Sequence, residues 1–339
     1  MAQTKKYSKK KHLPLKVSST ENWEELHHTP RTYRNTNANW KINFMNLPQE
    51  EKDKLMFKYA LLGNKKMLKF LYENCNCDFN TYDNDGNTPL MFTVKSGSRE
   101  ATEYVLNHGA ITDYKNNFGV TPLHLATRKN SETLVRVLLE HGANVNIEDA
   151  YNQTPIYDAV QENNATMIDY LYANGAQINH HNKEGRTPLM VAAFDRHRQE
   201  VLCELIRLGA DVNVSDNSSK TAFMHAINNN NGAMMYILLK TGSLINVADI
   251  NGHTPIMYCA KRGNREGLRV LIARGGDVFA TNSNGQTAYD IARKCKNPTC
   301  AEILAKAERI YNSDLTDKQK IEELKKIATH NRMQNSCIR

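Results

Sequence analysis

The chain has 339 residues, 40% of them hydrophobic, and a formal net charge of +8. No apolar run approaches the roughly 18 residues of a membrane span, and the lysine-rich start lacks the apolar core of a secretory signal. Seven cysteines at irregular spacing argue against a disulfide framework. The expectation is a cytoplasmic protein, with cytoskeletal association or nuclear entry left open.

Residues 1–49 read as a basic, aromatic-containing N-terminal arm. Residues 1–50 hold nine Lys/Arg against four Asp/Glu, whereas the body of the chain is nearly neutral. Lys5, Lys6, Lys9, Lys10 and Lys11 cluster at the start. Such a cluster predicts attraction of residues 1–20 to an acidic polymer, nucleic acid or an acidic filament such as a microtubule, and is similar to a nuclear import signal. Both tryptophans, Trp23 and Trp40, lie in this arm. Trp23 reads as a partner contact; Trp40 either packs on the structured body or binds a partner.

From about residue 50 the pattern turns helical. Leu55-Met56-Phe57-Lys58-Tyr59-Ala60 opens a divergent first unit, 50–82. A threonine column then recurs: Thr88, Thr121, Thr154, Thr187, Thr221, Thr254 and Thr287, spaced 33, 33, 33, 34, 33 and 33. In most units the threonine is followed by proline, which suits the first turn of a helix. Five residues later come Thr93, Ala126, Ala159, Ala192, Ala226, Cys259 and Ala292, small enough for neighbouring helices to approach. Nine after the threonine, mostly Gly or Asn, as at Gly97, Asn130 and Gly263, suits a left-handed helix end. Twelve before it, Asn76 and then glycine in every unit ends a second helix. Each unit therefore reads as helix, tight turn, helix and protruding loop, a supersecondary block that must stack to bury its apolar face.

These columns resemble the ankyrin repeat, as in Asn116–Ala126 with Thr121-Pro-Leu-His and in Gly209-Ala-Asp-Val-Asn. The resemblance runs over roughly residues 80 to 300. It implies an all-α ankyrin-repeat solenoid of about eight helix-turn-helix units with protruding β-hairpin loops, plus the extended arm and a C-terminal helix. The array spans 50–311, with six central repeats in 83–281 and a C-terminal cap unit in 282–311. Residues 312–339 form the tail, where Thr316–Gln319 reads as a capping box. That helix either docks on the last repeat or meets a partner helix.

Candidate chemistry is thin. His124 sits in a column that otherwise holds methionine, tyrosine or aspartate, so it reads as a brace between hairpin and helix, a role the resemblance also implies. Cys75/Cys77 and Cys295/Cys300 lack a second ligand pair at zinc spacing. No phosphate-binding loop or nucleophile motif occurs. No catalytic residue, metal, cofactor, membrane or small-molecule substrate is expected.

The resemblance instead implies one or more protein partners, met by hairpin tips and by the exposed side of the first helices, which form a concave groove. On that column rule the candidates are Phe118, Tyr151, Arg186 and Ile250 at tips, and Phe92, Arg128, Asp158, His225 and Tyr258 on first helices. Phe118 and Tyr151, on adjacent tips, are expected side by side. Asn152 and Ser219 stand where other hairpins carry glycine, so those tips are candidates for a different bend. Asp195–Arg198 carries a one-residue insertion that reads as a basic protrusion. The functional expectation is a non-catalytic scaffold or adaptor in a larger intracellular assembly. A polymer-binding protein and a regulatory subunit of an enzyme complex are the alternatives.

Overall fold

The computed structural model describes residues 44–329; Lys5, Lys6, Lys9, Lys10, Lys11, Trp23 and Trp40, with the roles expected of them, lie outside the described residues. Seventeen helices occur among the described residues, and sixteen of them pair off in chain order. The pairs are α1 (Gln49–Leu61) with α2 (Lys65–Asn74), α3 (Pro89–Ser96) with α4 (Arg99–Asn107), and α5 (Pro122–Arg128) with α6 (Glu132–Glu140). Then follow α7 (Pro155–Gln161) with α8 (Ala165–Ala173), α9 (Pro188–Ala193) with α10 (Gln199–Arg207), and α11 (Ala222–Asn228) with α12 (Gly232–Lys240). The last pairs are α13 (Pro255–Arg262) with α14 (Arg265–Ala273) and α15 (Ala288–Lys294) with α16 (Pro298–Tyr311); α17 (Asp317–Thr329) stands alone.

The chain forms two compact units, divided between Asp158 and Ala159. In the first unit, α1, α3 and α5 stack as one layer and α2, α4 and α6 as a second. In the second unit, α9, α11, α13 and α15 repeat the first layer, while α8, α10 and α12 make the second and α14 packs on α16.

The local reasons are the ones the columns predict. Thr121, Thr187, Thr221 and Thr287 cap their helices by accepting the amide three residues on, which satisfies one of the orphan donors of a helix start. At the other end of the pair, Asn76, Gly109, Gly142, Gly175, Gly209, Gly242 and Gly275 all have positive φ, so the whole column terminates second helices in the left-handed region. The core is the stripe between layers: Leu90, Leu123, Ile156, Leu189, Phe223 and Ile256, each two residues past its threonine, are fully buried. Burying one such side chain contributes roughly 1.5–3 kcal/mol, and each needs the adjacent repeat to cover it.

At the start of the described residues, Phe44 packs edge-on against Phe70 of α2, with ring centroids 6.3 Å apart. At the other end, the capping box at Thr316 forms: its amide donates to Gln319 Oε1 at 2.9 Å. The α17 helix packs against α14 and α16, burying Leu324 and Ile327. Of the two roles open for this helix, the structure shows the docked one.

Candidate protein-binding surface

Each loop between units closes on one Asp or Asn, five residues before the threonine. Its Oδ1 accepts two backbone amides, from the second and fourth residues on. For Asp149 these are Tyr151 at 2.8 Å and Gln153 at 2.9 Å; for Asn116, Phe118 at 3.0 Å and Val120 at 2.9 Å. Asp83, Asn182, Asp216, Asp249 and Asn282 repeat the pair. This local side-chain bonding is why Asp and Asn recur there. Among the described residues, Ser215 and Thr221 are the one pair that meets as an isolated β-bridge, so the hairpins are hydrogen-bonded turns rather than strand ladders.

Adjacent tips are bonded to each other. In the first unit the Asn117 amide donates to the Asp85 carbonyl at 2.9 Å, and the Ala150 amide to the Phe118 carbonyl at 3.0 Å. In the second unit Asn217 donates to Glu184, Ile250 to Ser218 and Ser283 to Asn251, at 3.0, 3.1 and 2.9 Å. On these fixed strips Phe118 is 60% exposed, Tyr151 61% and Ile250 63%. The Ala150–Phe118 bond ties Phe118 to the residue beside Tyr151. Asn152 and Ser219 keep φ at 55° and 56° and close the same turn onto Asp149 and Asp216. Those tips do not bend differently.

The first-helix column four residues after the threonine departs from expectation. Phe92, Asp158, His225 and Tyr258, expected to be exposed, are only 9%, 1%, 5% and 7% exposed. For His225 and Tyr258 the reason is the hairpin base, which lies over this position; Phe92 and Asp158 are covered from the preceding first helix. His225 Nε2 lies 2.8 Å from Asp216 Oδ2, and the Tyr258 hydroxyl donates to Asp249 Oδ2 at 2.6 Å. Phe92 packs on Phe57, with ring centroids 5.5 Å apart. Arg128 Nε donates to Asp158 Oδ1 at 2.6 Å, and its Nη2 sits 3.7 Å from Asp149 Oδ2. Arg128 and Arg186 are thus partly committed: Arg186 lies 5.0 Å over the Phe194 ring and 4.0 Å from Asp216 Oδ2. Burial lowers the His225 pKa, with the Asp216 carboxylate opposing it.

His124 is fully buried. Its Nδ1 accepts from the Thr121 amide at 3.3 Å, which leaves Nε2 to donate to the Gln153 carbonyl at 3.0 Å in the next loop. Burial pulls its pKa down to about 4, so the ring is neutral at pH 7. The buried thiols of Cys77 and Cys259 are held protonated: burial pushes Cys77 up to about 12 and raises Cys259 as well. In the inserted loop Arg196 and His197 are exposed, while Arg198 turns back to the Gln161 carbonyl at 3.3 Å. No helix among the described residues is long and apolar enough to cross a membrane.

The double-acceptor Asx column was legible in sequence as a repeated Asp/Asn, but its partners, Tyr258 and His225, carried no distinguishing signal. A family model described as "Ankyrin repeats (3 copies)" matches residues 55–149, 143–216, 197–282 and 223–318. Among solved structures, the chain is similar to the ankyrin repeat domain of Bcl-3, described as a unique member of the IkappaB protein family. The two are 29% identical with a TM-score of 0.59, over 65% of this chain and 99% of that one. A sequence comparison with curated proteins gives no match.

Proposed function

Because the chain belongs to the ankyrin-repeat family, we propose that it is a non-catalytic scaffold or adaptor that binds protein partners through its hairpin tips. Ankyrin repeats generally mediate protein–protein interactions and are typically non-catalytic. The observation that carries the reading is the pair Phe118 and Tyr151. Both are large, exposed and mounted on hydrogen-bonded turns, so an interface there would lose little conformational entropy on binding. Exposed aromatic residues on a rigid base are common anchors of interfaces.

Burial moves the contact surface outward. With Phe92, Asp158, His225 and Tyr258 buried, the candidate surface consists of the tips, with the partly exposed Arg128 in the first unit and Arg186 in the second. A cytoskeletal or other intracellular assembly fits the cluster of lysines in residues 5–11, which supplies a second reading: attraction to an acidic filament or nucleic acid. Affinity purification of the full chain and of a chain lacking residues 1–43, across a salt series, separates the two. Partners retained by both, with weak salt dependence, support the tips; partners lost with the arm and steeply salt-dependent support the polymer reading. Stoichiometric recovery of an enzyme would mark a regulatory subunit.

A further inference from the structure

The outer side of the last repeat carries a cavity of about 750 Å³ between α15 and α16. Four cations line it: Arg293, Lys296, Lys306 and Arg309, with a single carboxylate, Glu302. None of the four has an ion-pair partner among the described residues. Elsewhere on the surface Arg99, Arg136, Arg207 and Arg269 each sit against a carboxylate. The helix α17 contributes nothing to the lining, because it packs against α14 and α16.

The position is one that other repeats cover. Within the second unit Asn229 Nδ2 reaches back to the Phe194 carbonyl at 3.3 Å, and Asn297 Nδ2 to the Ala260 carbonyl at 2.9 Å. A following repeat thus supplies a polar cap to the end of the preceding first helix. After α15 no described element does so, and its end opens into the cavity.

Lys296 adds an independent observation. It adopts φ 57°, in the left-handed region, at the column where other units place Gly97, Asn130, Asn163, Asn230 or Gly263. A lysine there is disfavoured relative to glycine or asparagine, and such outliers persist most often where a side chain has work to do. The consequence here is a fourth cation at the cavity rim.

We infer that this cleft docks an acidic helical segment of another protein. Ala301 and Ala305 lie one turn apart on α16 and leave room for a helix to approach closely. Tyr289, with Arg293 6.0 Å over its ring, supplies an aromatic wall. Glu302 within the cation ring disfavours a polyphosphate and suits a peptide that also carries one base. The chain's own ends do not fit: residues 330–339 hold Arg332 and Arg339 with no acid, and residues 1–43 hold nine bases against three acids.

The test uses the full chain and a fluorescein-labelled alanine-based helical peptide of about 18 residues, five turns, with glutamate every third or fourth position and one lysine. A glutamine-for-glutamate peptide and a single-stranded oligonucleotide of about the same length are the comparisons. The glutamate peptide is expected to bind at low salt, and the glutamine peptide not to. The triple variant Lys296→Gly, Lys306→Gln, Arg309→Gln is expected to weaken binding by about tenfold, each exposed pair contributing roughly two- to fivefold. Replacing Lys5, Lys6, Lys9, Lys10 and Lys11 by glutamine should leave that difference intact. Lys296→Gly alone should weaken binding while holding or raising the melting temperature, which a misfolded variant could not do. Equal affinity of wild type and triple variant, no binding of the glutamate peptide, or a larger loss for the oligonucleotide than for the peptide would overturn the inference.

Discussion

The phenol of Tyr258 donates to Asp249 Oδ2 at 2.6 Å, while Asp249 Oδ1 accepts the amides of Asn251 and His253 at 2.9 and 2.8 Å. One carboxylate therefore locks a hairpin tip to its helix. Burial pushes the Asp249 carboxyl up, but the Tyr258 hydroxyl and the two amides outweigh it and hold it below the usual carboxylate range. Tyr258→Phe removes the donor and leaves Oδ2 in place, and is expected to cost about 1–3 kcal/mol. Urea unfolding of the full chain, reading the shift in midpoint at constant slope, checks it.

His124 makes stability pH-dependent. Its folded pKa of about 4 lies below the ordinary histidine value of 6.5, so between these values the unfolded chain binds the proton and the folded chain does not. Stability contributed by the neutral ring is therefore complete above pH 6.5, falls as the pH drops toward 4, and levels off below. The loss amounts to about 3 kcal/mol. Methionine fills the same column at Met91, Met190, Met224 and Met257, so His124→Met should fold and flatten that part of the curve. Thermal unfolding at a series of pH values compares the two; an unchanged slope in the variant would place the acid sensitivity elsewhere, His225 being next in line.

Two turn positions with the same backbone predict opposite outcomes. Ser219 holds φ 56° where most tips carry glycine, so Ser219→Gly relieves local strain and should be neutral or stabilising by up to about 1 kcal/mol. Gly119 holds φ 73°, and a Cβ there would meet the Asp149 carbonyl carbon at 2.8 Å. Gly119→Ala should cost about 1–3 kcal/mol and loosen the strip bearing Phe118 and Tyr151. Calorimetry on both variants reads the sign directly.

The period, the caps and the helix ends were legible because each rests on one residue type satisfying one local backbone need: threonine at a helix start, glycine or asparagine at a left-handed end. The exposure of Phe118, Tyr151 and Ile250 was legible for the same reason, since a turn tip faces solvent whatever packs below it. Burial of Phe92, Asp158, His225 and Tyr258 was not legible. It depends on how far the hairpin base leans over His225 and Tyr258 and on how closely the preceding first helix approaches Phe92 and Asp158, tertiary distances that no local pattern encodes. The C-terminal cleft was hidden for a related reason. Lys296, Arg293, Lys306 and Arg309 look like ordinary surface charge until α15 and α16 bring them around one cavity.

The aromatic tips of the first unit are the proposed protein-binding surface. Its most direct test places a photo-crosslinking residue at Tyr151 or, as a comparison, at the exposed Glu132 on α6, in the full chain inside cells. Crosslinked protein partners are expected from position 151 and not from 132, and the yield from a crosslinker at Asn117 should fall several-fold in the Phe118→Ala, Tyr151→Ala double variant while its melting temperature holds. Equal crosslinking from both faces, or a yield from Asn117 untouched by the double variant, would rule out partner binding at the tips.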